Sequence, residues 1–383
     1  MDTYARHRMI WSCLAKVVPP FLKCKFRLRA EPCRVEGPCI VISNHVMDWD
    51  PLLVACSFTD KHLYYMASEH LFRKGWLSKL IVWLLGPIAR RKASSGADAA
   101  MQSLRHLRAG HSICIFAEGA TSWDGRSQPI VPATGKLVKM SGASLVTYRL
   151  EGGYLSHPRW GRGNRRGRIY GHPVQVYPPE QLREMEPEAI NALIERDIYE
   201  DAWQRQQEQP VAYKGRHPAE CLETLLYLCP ECGRVGGLQS RGDRVFCSCG
   251  FSRRYTDLGG FLPAEPFANL AEWEDWQQSR LSELSEPPQE PLFSDDELLL
   301  YQLKNGHQQR LLGRGALRQY ADKLCFGERE FPLAEIINMA PVKKSVLLFS
   351  TRDSYYEIKA KRPRCLRKYF ARWELAKTPA LSE

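Results

Sequence analysis

The residues best suited to acid–base chemistry are a histidine and an aspartate five positions apart, His45 and Asp50, in VISNHVMDWDP (41–51). Histidine takes up a proton near neutral pH, and a carboxylate on its second ring nitrogen holds the tautomer and stabilises the imidazolium. On a continuous helix, residues five apart diverge by roughly 140°. The pair therefore requires a turn ahead of a helix, with Asp50 at its start, and the spacing predicts His45 as a base oriented by Asp50.

The same stretch has a purely structural interpretation. Aspartate followed by proline, as in Asp50-Pro51, is typical of a helix N-cap and first turn. Asp48 is a second candidate partner for the histidine, or a solvated turn residue. Because a lone histidine is commonly a hydrogen-bonded structural residue, this stretch alone leaves both interpretations open.

A second motif lies at CIFAEGATSWDGR (114–126), where a predicted strand ends at Phe116. Glu118 and Gly119 open a turn rich in small residues and hydroxyls. Such a turn can direct backbone N–H groups and hydroxyls at an anion, as phosphate-binding loops do. Taken alone, it is also what any exit from a strand into a loop looks like.

Together the two motifs carry a family resemblance. NHVMDWD, followed roughly seventy residues later by FAEGATS, resembles the glycerol-phosphate and lysophospholipid acyltransferase family. That family is marked by Asn-His-x-x-x-x-Asp and by a Phe-Pro-Glu-Gly-Thr-Arg-Ser loop. Its intervening glycine and arginine are matched by Gly86 and Arg91, with Arg90 as the alternative. The resemblance covers about residues 35–180, and the order of the motifs is more specific than either motif alone.

The second loop departs from the family pattern. Ala117, Ala120 and Thr121 stand where the family has proline, threonine and arginine, so the loop's phosphate-pairing arginine is missing. Arg126 and Lys136 are the candidates to replace it. These changes leave the predicted base intact and put the identity of the acyl acceptor in question.

The resemblance implies transfer of a fatty acyl group from acyl-CoA or acyl-carrier protein to a hydroxyl of a lysophospholipid or glycerol-phosphate acceptor. His45 would remove the hydroxyl proton while Asp50 orients it, and positioning with a base suffices without an acyl-enzyme. The residues predicted to hold the acceptor are Asn44, Arg91, Glu118, Gly119, Ser122 and Arg126.

Four cysteines form a separate cluster, spaced Cys-x-x-Cys and Cys-x-Cys: Cys229, Cys232, Cys247 and Cys249. Four thiolates from two tight turns suit tetrahedral zinc, and a complete shell predicts a structural role. The spacing resembles a zinc ribbon; a redox dithiol is the alternative. The remaining cysteines of the 13 are scattered among apolar neighbours, which favours a reducing compartment.

The elements around these motifs predict an α/β fold. Alternating strand-like and helix-like segments favour a mostly parallel sheet flanked by helices, followed by a small zinc ribbon and a small β-rich module similar in element order to pleckstrin-homology domains. The expected divisions are an interfacial N-terminal segment (1–34), an acyltransferase-like domain (35–210), the zinc-ribbon-like module (220–260), a helix and linker (261–294) and the β-rich module (295–375).

A formal charge of +11 predicts an anionic partner, with nucleic acid and an acidic membrane surface both candidates on charge alone. The expected partner is the membrane surface, for the following reasons. The N-terminal stretch mixes Trp11, Leu14, Val17, Val18, Phe21 and Leu22 with basic residues, as an interfacial helix does. LSKLIVWLLG (77–86) is either a second membrane contact or a core helix. LIVWLLGPIA (80–89), the longest apolar candidate, is too short to span a bilayer. We therefore expect a peripheral protein on the cytoplasmic face of a membrane.

A second function remains open: a catalytically inactive adaptor that binds lipid, protein or nucleic acid and contains a structural zinc. Arginines surround the cysteine cluster, at Arg241, Arg244, Arg253 and Arg254, as in nucleic-acid-binding ribbons. Retention of both the predicted base and its orienting carboxylate favours the enzyme, and nucleic acid is not the expected partner.

Overall fold

The computed structural model describes residues 3–68, 75–90, 96–283, 290–304 and 308–377. The chain divides into two compact units. Unit 1 comprises residues 1–159 and 163–215, and unit 2 comprises residues 160–162 and 216–383. The expected N-terminal segment is thus part of unit 1, and the three expected C-terminal divisions form one compact unit.

Unit 1 is built on one seven-stranded sheet with helices on its faces. Its strands are β1 (Arg29–Ala30), β2 (Cys39–Ser43), β3 (Leu63–Ser68), β4 (Ile88–Arg90), β5 (Ser112–Phe116), β6 (Ser144–Glu151) and β7 (Tyr170–Tyr177). Its helices are α1 (Thr3–Leu14), α2 (Val18–Phe26), α3 (Asp50–Ala55), α4 (Trp76–Leu85), α5 (Ala97–Arg108), α6 (Ala133–Ser141), α7 (Gly153–Ser156), α8 (Pro179–Glu184), α9 (Pro187–Ile198) and α10 (Ala202–Glu208).

The sheet has the order β1-β7-β6-β2-β5-β3-β4, and every neighbouring pair is parallel except β6 with β7. The prediction of a mostly parallel α/β sheet is therefore confirmed. The central strands β2 and β5 are CIVIS and SICIF, and all of their residues are buried. Strands covered by helices on both faces need such continuous apolar runs instead of alternation.

The register of the central strands brings the two motifs together. Ser43, the last residue of β2, pairs with Phe116, the last residue of β5, and with Tyr148 of β6. Since β2, β5 and β6 are parallel, the residues that follow β2 and β5 leave the same edge of the sheet. Ligands of open α/β sheets bind at this carboxyl edge.

The N-terminal helices are only partly arranged as the sequence predicted. Trp11 and Leu22 are buried in unit 1, and Trp11 Nε1 donates a hydrogen bond to the Phe58 carbonyl oxygen at 3.0 Å, so these two side chains do not belong to an interfacial face. Val17 and Phe21 are exposed. Tertiary packing thus determines which apolar residues of this segment remain exposed.

Helix α4 exposes much of its apolar surface. The large apolar side chains that it exposes are Trp76, Leu80, Val82 and Trp83. This arrangement contradicts the interpretation of α4 as a fully core-packed helix. Among the helices of the described ranges, none combines the length and apolar character needed to cross a bilayer.

Unit 2 contains two antiparallel sheets. The smaller sheet, in the order β11-β10-β9-β8, has β8 (Leu238–Arg241), β9 (Arg244–Cys247), β10 (Ser252–Tyr255) and β11 (Phe261–Leu262). The larger sheet, in the order β15-β14-β13-β12-β18-β17-β16, has β12 (Phe293–Lys304), β13 (Gln308–Gln319), β14 (Lys323–Phe326), β15 (Arg329–Pro332), β16 (Asn338–Val342), β17 (Val346–Ser350) and β18 (Tyr355–Ala360). Unit 2 also contains two α-helices among its described residues, α11 (Leu270–Glu283) and α12 (Arg367–Lys377).

A buried ionic cluster fastens α12 to the larger sheet. Asp295, on β12, accepts a hydrogen bond from the Tyr369 hydroxyl at 2.7 Å and lies 2.6 Å from the Lys368 ammonium. All three residues are buried. Because removal of one partner from a buried ion pair is strongly destabilising, the cluster ties the C-terminal helix to the sheet.

Candidate active site

The turn after β2 holds the histidine against the aspartate. Nδ1 of His45 lies 2.7 Å from Oδ2 of Asp50, and the same oxygen accepts the backbone N–H groups of Val46 at 2.7 Å and Met47 at 3.0 Å. Burial raises the pKa of Asp50, while the contact with His45 and the two N–H donors favour its charged form. The arrangement fixes which ring nitrogen of His45 faces the carboxylate and leaves the other for a substrate.

Asp50 does not act as the helix cap that its sequence context suggested. The N-cap position of α3 is Trp49, and Asp50 is already in the first turn. Its carboxylate turns back toward residues 45–47 instead of capping the helix N–H groups. Asp48 is exposed, as a solvated turn residue would be, and the histidine contacts Asp50 instead.

The imidazole packs on one side and remains partly open on another. The ring of Phe116, at the end of β5, stacks on the ring of His45 with centroids 4.5 Å apart and an interplanar angle of 22°. The His45 side chain is 21% exposed, whereas the Asp50 side chain is fully buried. A substrate can thus reach the histidine, while the orienting carboxylate is kept from water.

Asn44 occupies a structural position instead of the predicted substrate-binding one. Its side-chain Nδ2 donates to the Leu150 carbonyl oxygen at 2.8 Å, and its Oδ1 accepts the Leu150 N–H at 2.7 Å. The residue is fully buried. Asn44 therefore continues the β2–β6 pairing by one residue with its side chain and so positions the neighbouring histidine.

Glu118 ties the second motif to the first. One carboxylate oxygen accepts the backbone N–H of His45 and the other accepts the N–H of Gln128, both at 2.7 Å. Burial raises the pKa of Glu118 to about 8, against the opposing effect of these two donors. With both oxygens engaged, Glu118 positions the turn that carries His45, and its contacts indicate this role more directly than contact with a substrate.

The hydroxyl of Ser122 is also used within the loop. It donates to the Arg126 carbonyl oxygen at 2.8 Å and accepts the Gly125 N–H at 2.9 Å, and Ser122 is almost completely buried. The backbone N–H of Ser122 donates to the His45 carbonyl oxygen at 2.9 Å. The structure therefore corrects the prediction that the Ser122 side chain holds the acceptor, because the residue shapes the loop.

Gly119 allows the loop to turn at the end of β5. Its φ of +71° lies in the left-handed region, which glycine adopts without the penalty that a Cβ brings. Its N–H donates to the Phe116 carbonyl oxygen at 3.1 Å, closing the turn. Any other residue here would strain the backbone beside the histidine.

The cations near the loop differ from those expected. Arg91 lies outside the described residues. Arg126 is bound to Asp124, with Nε at 2.8 Å and Nη2 at 2.7 Å from Oδ2, so it neutralises a buried carboxylate of the loop. Lys136 is exposed on α6. Arg90, the last residue of β4, reaches the loop, because its Nη1 would lie 3.5 Å from a Cβ on Gly119.

A further arginine, not predicted from the motifs, contacts the same loop. The guanidinium carbon of Arg159 lies 3.9 Å from the centroid of the Trp123 ring, and Nη1 donates to the Thr121 carbonyl oxygen at 3.0 Å. Thr121 is the position at which the family's loop arginine is missing. In the sequence, Arg159 is one of several arginines in PRWGRGNRRGR (158–168), a segment that predicts either contact with lipid headgroups or a solvated basic loop.

The four cysteines of unit 2 converge at one point. Their Sγ atoms all lie within 4.8 Å of one another, with Cys229 and Cys249 at 3.7 Å and Cys232 and Cys247 at 3.8 Å. A tetrahedron of sulfurs, each about 2.3 Å from a zinc ion, has edges of about 3.8 Å. The donor set and its spacing therefore fit a tetrahedral zinc ion.

Comparison with known proteins bears on unit 1. Residues 25–151 match the protein-family model described as Acyltransferase. A curated 1-acyl-sn-glycerol-3-phosphate acyltransferase from Borreliella burgdorferi is 24% identical over 164 residues, 42% of this chain and 64% of that protein. The crystal structure of the 1-acyl-sn-glycerophosphate (LPA) acyltransferase PlsC from Thermotoga maritima matches at 16% identity with a TM-score of 0.41, covering 51% of this chain and 81% of that one.

Residues 25–151 of unit 1 thus resemble the acyltransferase family. The resemblance to lysophosphatidic acid acyltransferases that the order of motifs predicted is confirmed. The match spans less than two thirds of the curated relative's length. The match to the family model ends at residue 151, ahead of the segment that contributes Arg159.

Proposed function

We propose that this protein transfers a fatty acyl group from acyl-CoA or acyl-carrier protein to a hydroxyl of a lysophospholipid or glycerol-phosphate acceptor. The observation that carries the proposal is the 2.7 Å contact between His45 and the buried Asp50, beside the loop that begins at Glu118. The similarity to a 1-acyl-sn-glycerol-3-phosphate acyltransferase supports the acceptor class.

In the proposed reaction, Nε2 of His45 accepts the proton of the acceptor hydroxyl while Nδ1–H donates to Asp50. The acceptor oxygen attacks the thioester carbonyl carbon and forms a tetrahedral intermediate. The carbon–sulfur bond then breaks, and the departing thiolate takes the proton from the imidazolium. The products are the ester and the free thiol, and His45 returns to its neutral form without a covalent enzyme intermediate.

An acyl-transfer assay tests this function directly. Purified protein is incubated with radiolabelled acyl-CoA or acyl-carrier protein and with lysophosphatidate or glycerol 3-phosphate, and the lipid products are separated. We expect an esterified product with at least one of these acceptors. Lack of transfer with every donor–acceptor pair, from protein that is folded and binds lipid, would favour the inactive adaptor.

Arg159 and Arg90 are our proposed ligands for the acceptor's anionic group. The Thr121–Ser122 peptide links Arg159 to the histidine, because its carbonyl oxygen accepts from Arg159 and its N–H donates to the His45 carbonyl oxygen. Of the loop's two carboxylates, Glu118 accepts the backbone N–H groups of His45 and Gln128, and Asp124 binds Arg126. The guanidinium of Arg159 is held in place by the Trp123 ring before a ligand arrives.

Arg159→Gln should raise KM for lysophosphatidate by roughly tenfold or more, because a charge-assisted hydrogen bond is lost, with a smaller change in kcat. KM for a neutral acceptor such as monoacylglycerol should change little. The control is Arg166→Gln, which removes the same charge from an exposed residue of the same segment. Equal losses with anionic and neutral acceptors would assign Arg159 a structural role on Trp123 instead.

We also propose that unit 1 works as a peripheral protein on the cytoplasmic membrane face. Exposed apolar side chains of α2 and α4, among them Phe21, Trp76 and Leu80, support it, as do the basic residues Lys23 and Lys25 in the last turn of α2. Aromatic and leucine side chains mixed with lysines suit the boundary between headgroups and acyl chains.

Trp76→Ser with Leu80→Ser should weaken binding to anionic vesicles about tenfold or more, given the apolar surface that each side chain contributes. Flotation of the full chain with phosphatidylcholine–phosphatidylserine vesicles measures the effect. Met140→Ser is the control, because Met140 is an exposed apolar side chain of α6 in the same unit. Unchanged flotation of the double variant would remove α4 from the proposed membrane face.

For unit 2 we propose that Cys229, Cys232, Cys247 and Cys249 hold a structural zinc ion. Four thiolates complete the tetrahedral shell and leave no position for a substrate, so the ion would stabilise the fold of this unit without entering the acyl transfer. The fit of the sulfur spacing to a zinc tetrahedron supports the assignment.

A further inference from the structure

The small sheet of unit 2 has one buried face and one exposed face. Its buried face comprises Leu238, Val245, Cys247, Tyr255 and Phe261. The opposite face comprises Gln239, Arg241, Arg244, Phe246, Ser252, Arg254 and Leu262, and none of these seven residues is acidic. The alternation follows the two-residue period of β-strands. The exposed face therefore presents three arginines and no carboxylate of its own.

Strand register aligns the three arginines in one row across the sheet. Arg241 of β8 pairs with Arg244 of β9, and Arg244 pairs with Arg254 of β10. Neighbouring strands are about 4.8 Å apart, so the row places three guanidinium groups side by side. Like charges directly opposite each other destabilise a sheet. Folding alone does not favour this arrangement.

The row is not neutralised within the described part of the chain. No ion pair joins Arg241, Arg244 or Arg254 to a carboxylate there, and the side-chain contact recorded for them is Arg244 Nη1 to the Ser252 hydroxyl at 3.4 Å. Asp243 lies in the turn between β8 and β9. Within the described residues it forms no ion pair with any of the three arginines. The positive charge of the row is thus available to an external anionic partner.

The row ends on apolar residues. Arg254 pairs with Leu262 of β11, which is 51% exposed, and Leu258, in the turn between β10 and β11, is 49% exposed. Phe246, the aromatic residue of this face, is half-buried, and leucine offers no flat ring on which a nucleic-acid base stacks. It gains free energy when buried at the boundary of lipid headgroups and acyl chains, where adjacent arginines meet the anionic headgroups.

We propose that this face, Arg241–Arg244–Arg254 with Leu262, is a membrane-docking surface for anionic phospholipid, together with Leu258 of the adjoining turn. It lies in unit 2, whereas the proposed membrane face of unit 1 is formed by α2 and α4. The inference does not depend on acyl transfer, because the charge row and its leucines would bind an acidic bilayer whether or not unit 1 is active.

The test measures binding of the full chain to vesicles with the three arginines replaced by glutamine, Arg241→Gln, Arg244→Gln and Arg254→Gln. At low salt, affinity for vesicles containing 30% phosphatidylserine should fall roughly a hundredfold, since each arginine near an acidic surface contributes about a factor of five. The control is Arg310→Gln, Arg318→Gln and Arg329→Gln, which removes the same charge from exposed positions of the larger sheet and should alter affinity less than threefold.

Two further measurements show whether a loss of vesicle binding comes from lost membrane docking, from unfolding or from a role in RNA binding. The thermal midpoint of the row variant should equal or exceed that of the wild type, because like-charge repulsion is removed, so unfolding would not account for lost binding. Leu262→Ser should weaken vesicle binding and leave binding to a single-stranded RNA oligonucleotide unchanged. Equal vesicle binding by the row and control variants, or loss of RNA binding alone, would overturn the proposal.

Discussion

Replacement of His45 by alanine is expected to lower kcat for acyl transfer by about a thousandfold, the typical contribution of a positioned general base. The imidazole is the partly exposed member of the pair. Its removal leaves the site without a proton acceptor for the substrate hydroxyl, because the carboxylate of Asp50 is buried. The KM values for the acyl acceptor and the acyl donor should change much less, because the imidazole of His45 is not expected to contribute most of the binding of either substrate. The measurement is steady-state transfer to lysophosphatidate in detergent micelles, which makes the result independent of membrane docking.

Asp50→Asn should also cost activity, because an amide in place of the carboxylate no longer stabilises the imidazolium and can favour the wrong tautomer. Its carboxylate also accepts the N–H groups of Val46 and Met47, so this variant requires a thermal unfolding curve beside the assay. The matched control for His45→Ala is His217→Ala, which removes an exposed histidine of unit 2. Transfer at the wild-type rate by His45→Ala would rule out the proposed mechanism, whatever the other variants do.

Loss of one zinc ligand is expected to have the largest effect on stability. The wild-type chain should contain about one zinc ion, and Cys229→Ser should lose it and lower the thermal midpoint of unit 2. Zinc binding to such sites contributes on the order of 10 kcal/mol to folding in small domains, and Cys229 is buried beside the other ligands. Elemental analysis together with calorimetry measures both consequences.

Chelation separates the structural zinc from the redox alternative. A strong chelator should destabilise unit 2 of the wild-type chain, and added zinc should restore the thermal midpoint. Cys24→Ser serves as the control, because Cys24 is an exposed thiol outside the cluster. A chain that is isolated without metal, is indifferent to chelators and cycles between a dithiol and a disulfide would instead establish the redox interpretation.

Local sequence was sufficient for the strands and for the histidine turn. The alternation of strand-like and helix-like segments predicted a mostly parallel sheet, in which CIVIS and SICIF are buried strands. The His45–Asp50 spacing predicted a turn ahead of a helix, since a helix alone would separate the two side chains. The cysteine pairs likewise predicted a convergent set of thiols. In each case the interacting residues are near in sequence or belong to motifs of fixed spacing.

Local sequence was insufficient for the roles of single side chains in the site. Asn44 and Ser122 were predicted to hold the acceptor, but their polar atoms bond to the backbone of Leu150 and of the loop itself. Whether a polar side chain faces a ligand or completes a backbone pairing depends on which strand or turn lies beside it. That information is absent from a motif.

By itself, the sequence determined the family resemblance, the parallel α/β architecture and the pairs of residues whose chemistry acts over short spacings. Tertiary structure alone decided that Arg159 reaches the loop at Thr121, that Trp11 is buried while Trp76 is exposed, and that Arg241, Arg244 and Arg254 share one row. The physical reason is that these outcomes depend on packing and strand register, which bring together groups from distant parts of the chain or expose one face of an element. A pattern of neighbouring residues specifies the element, and its partners specify where each side chain points.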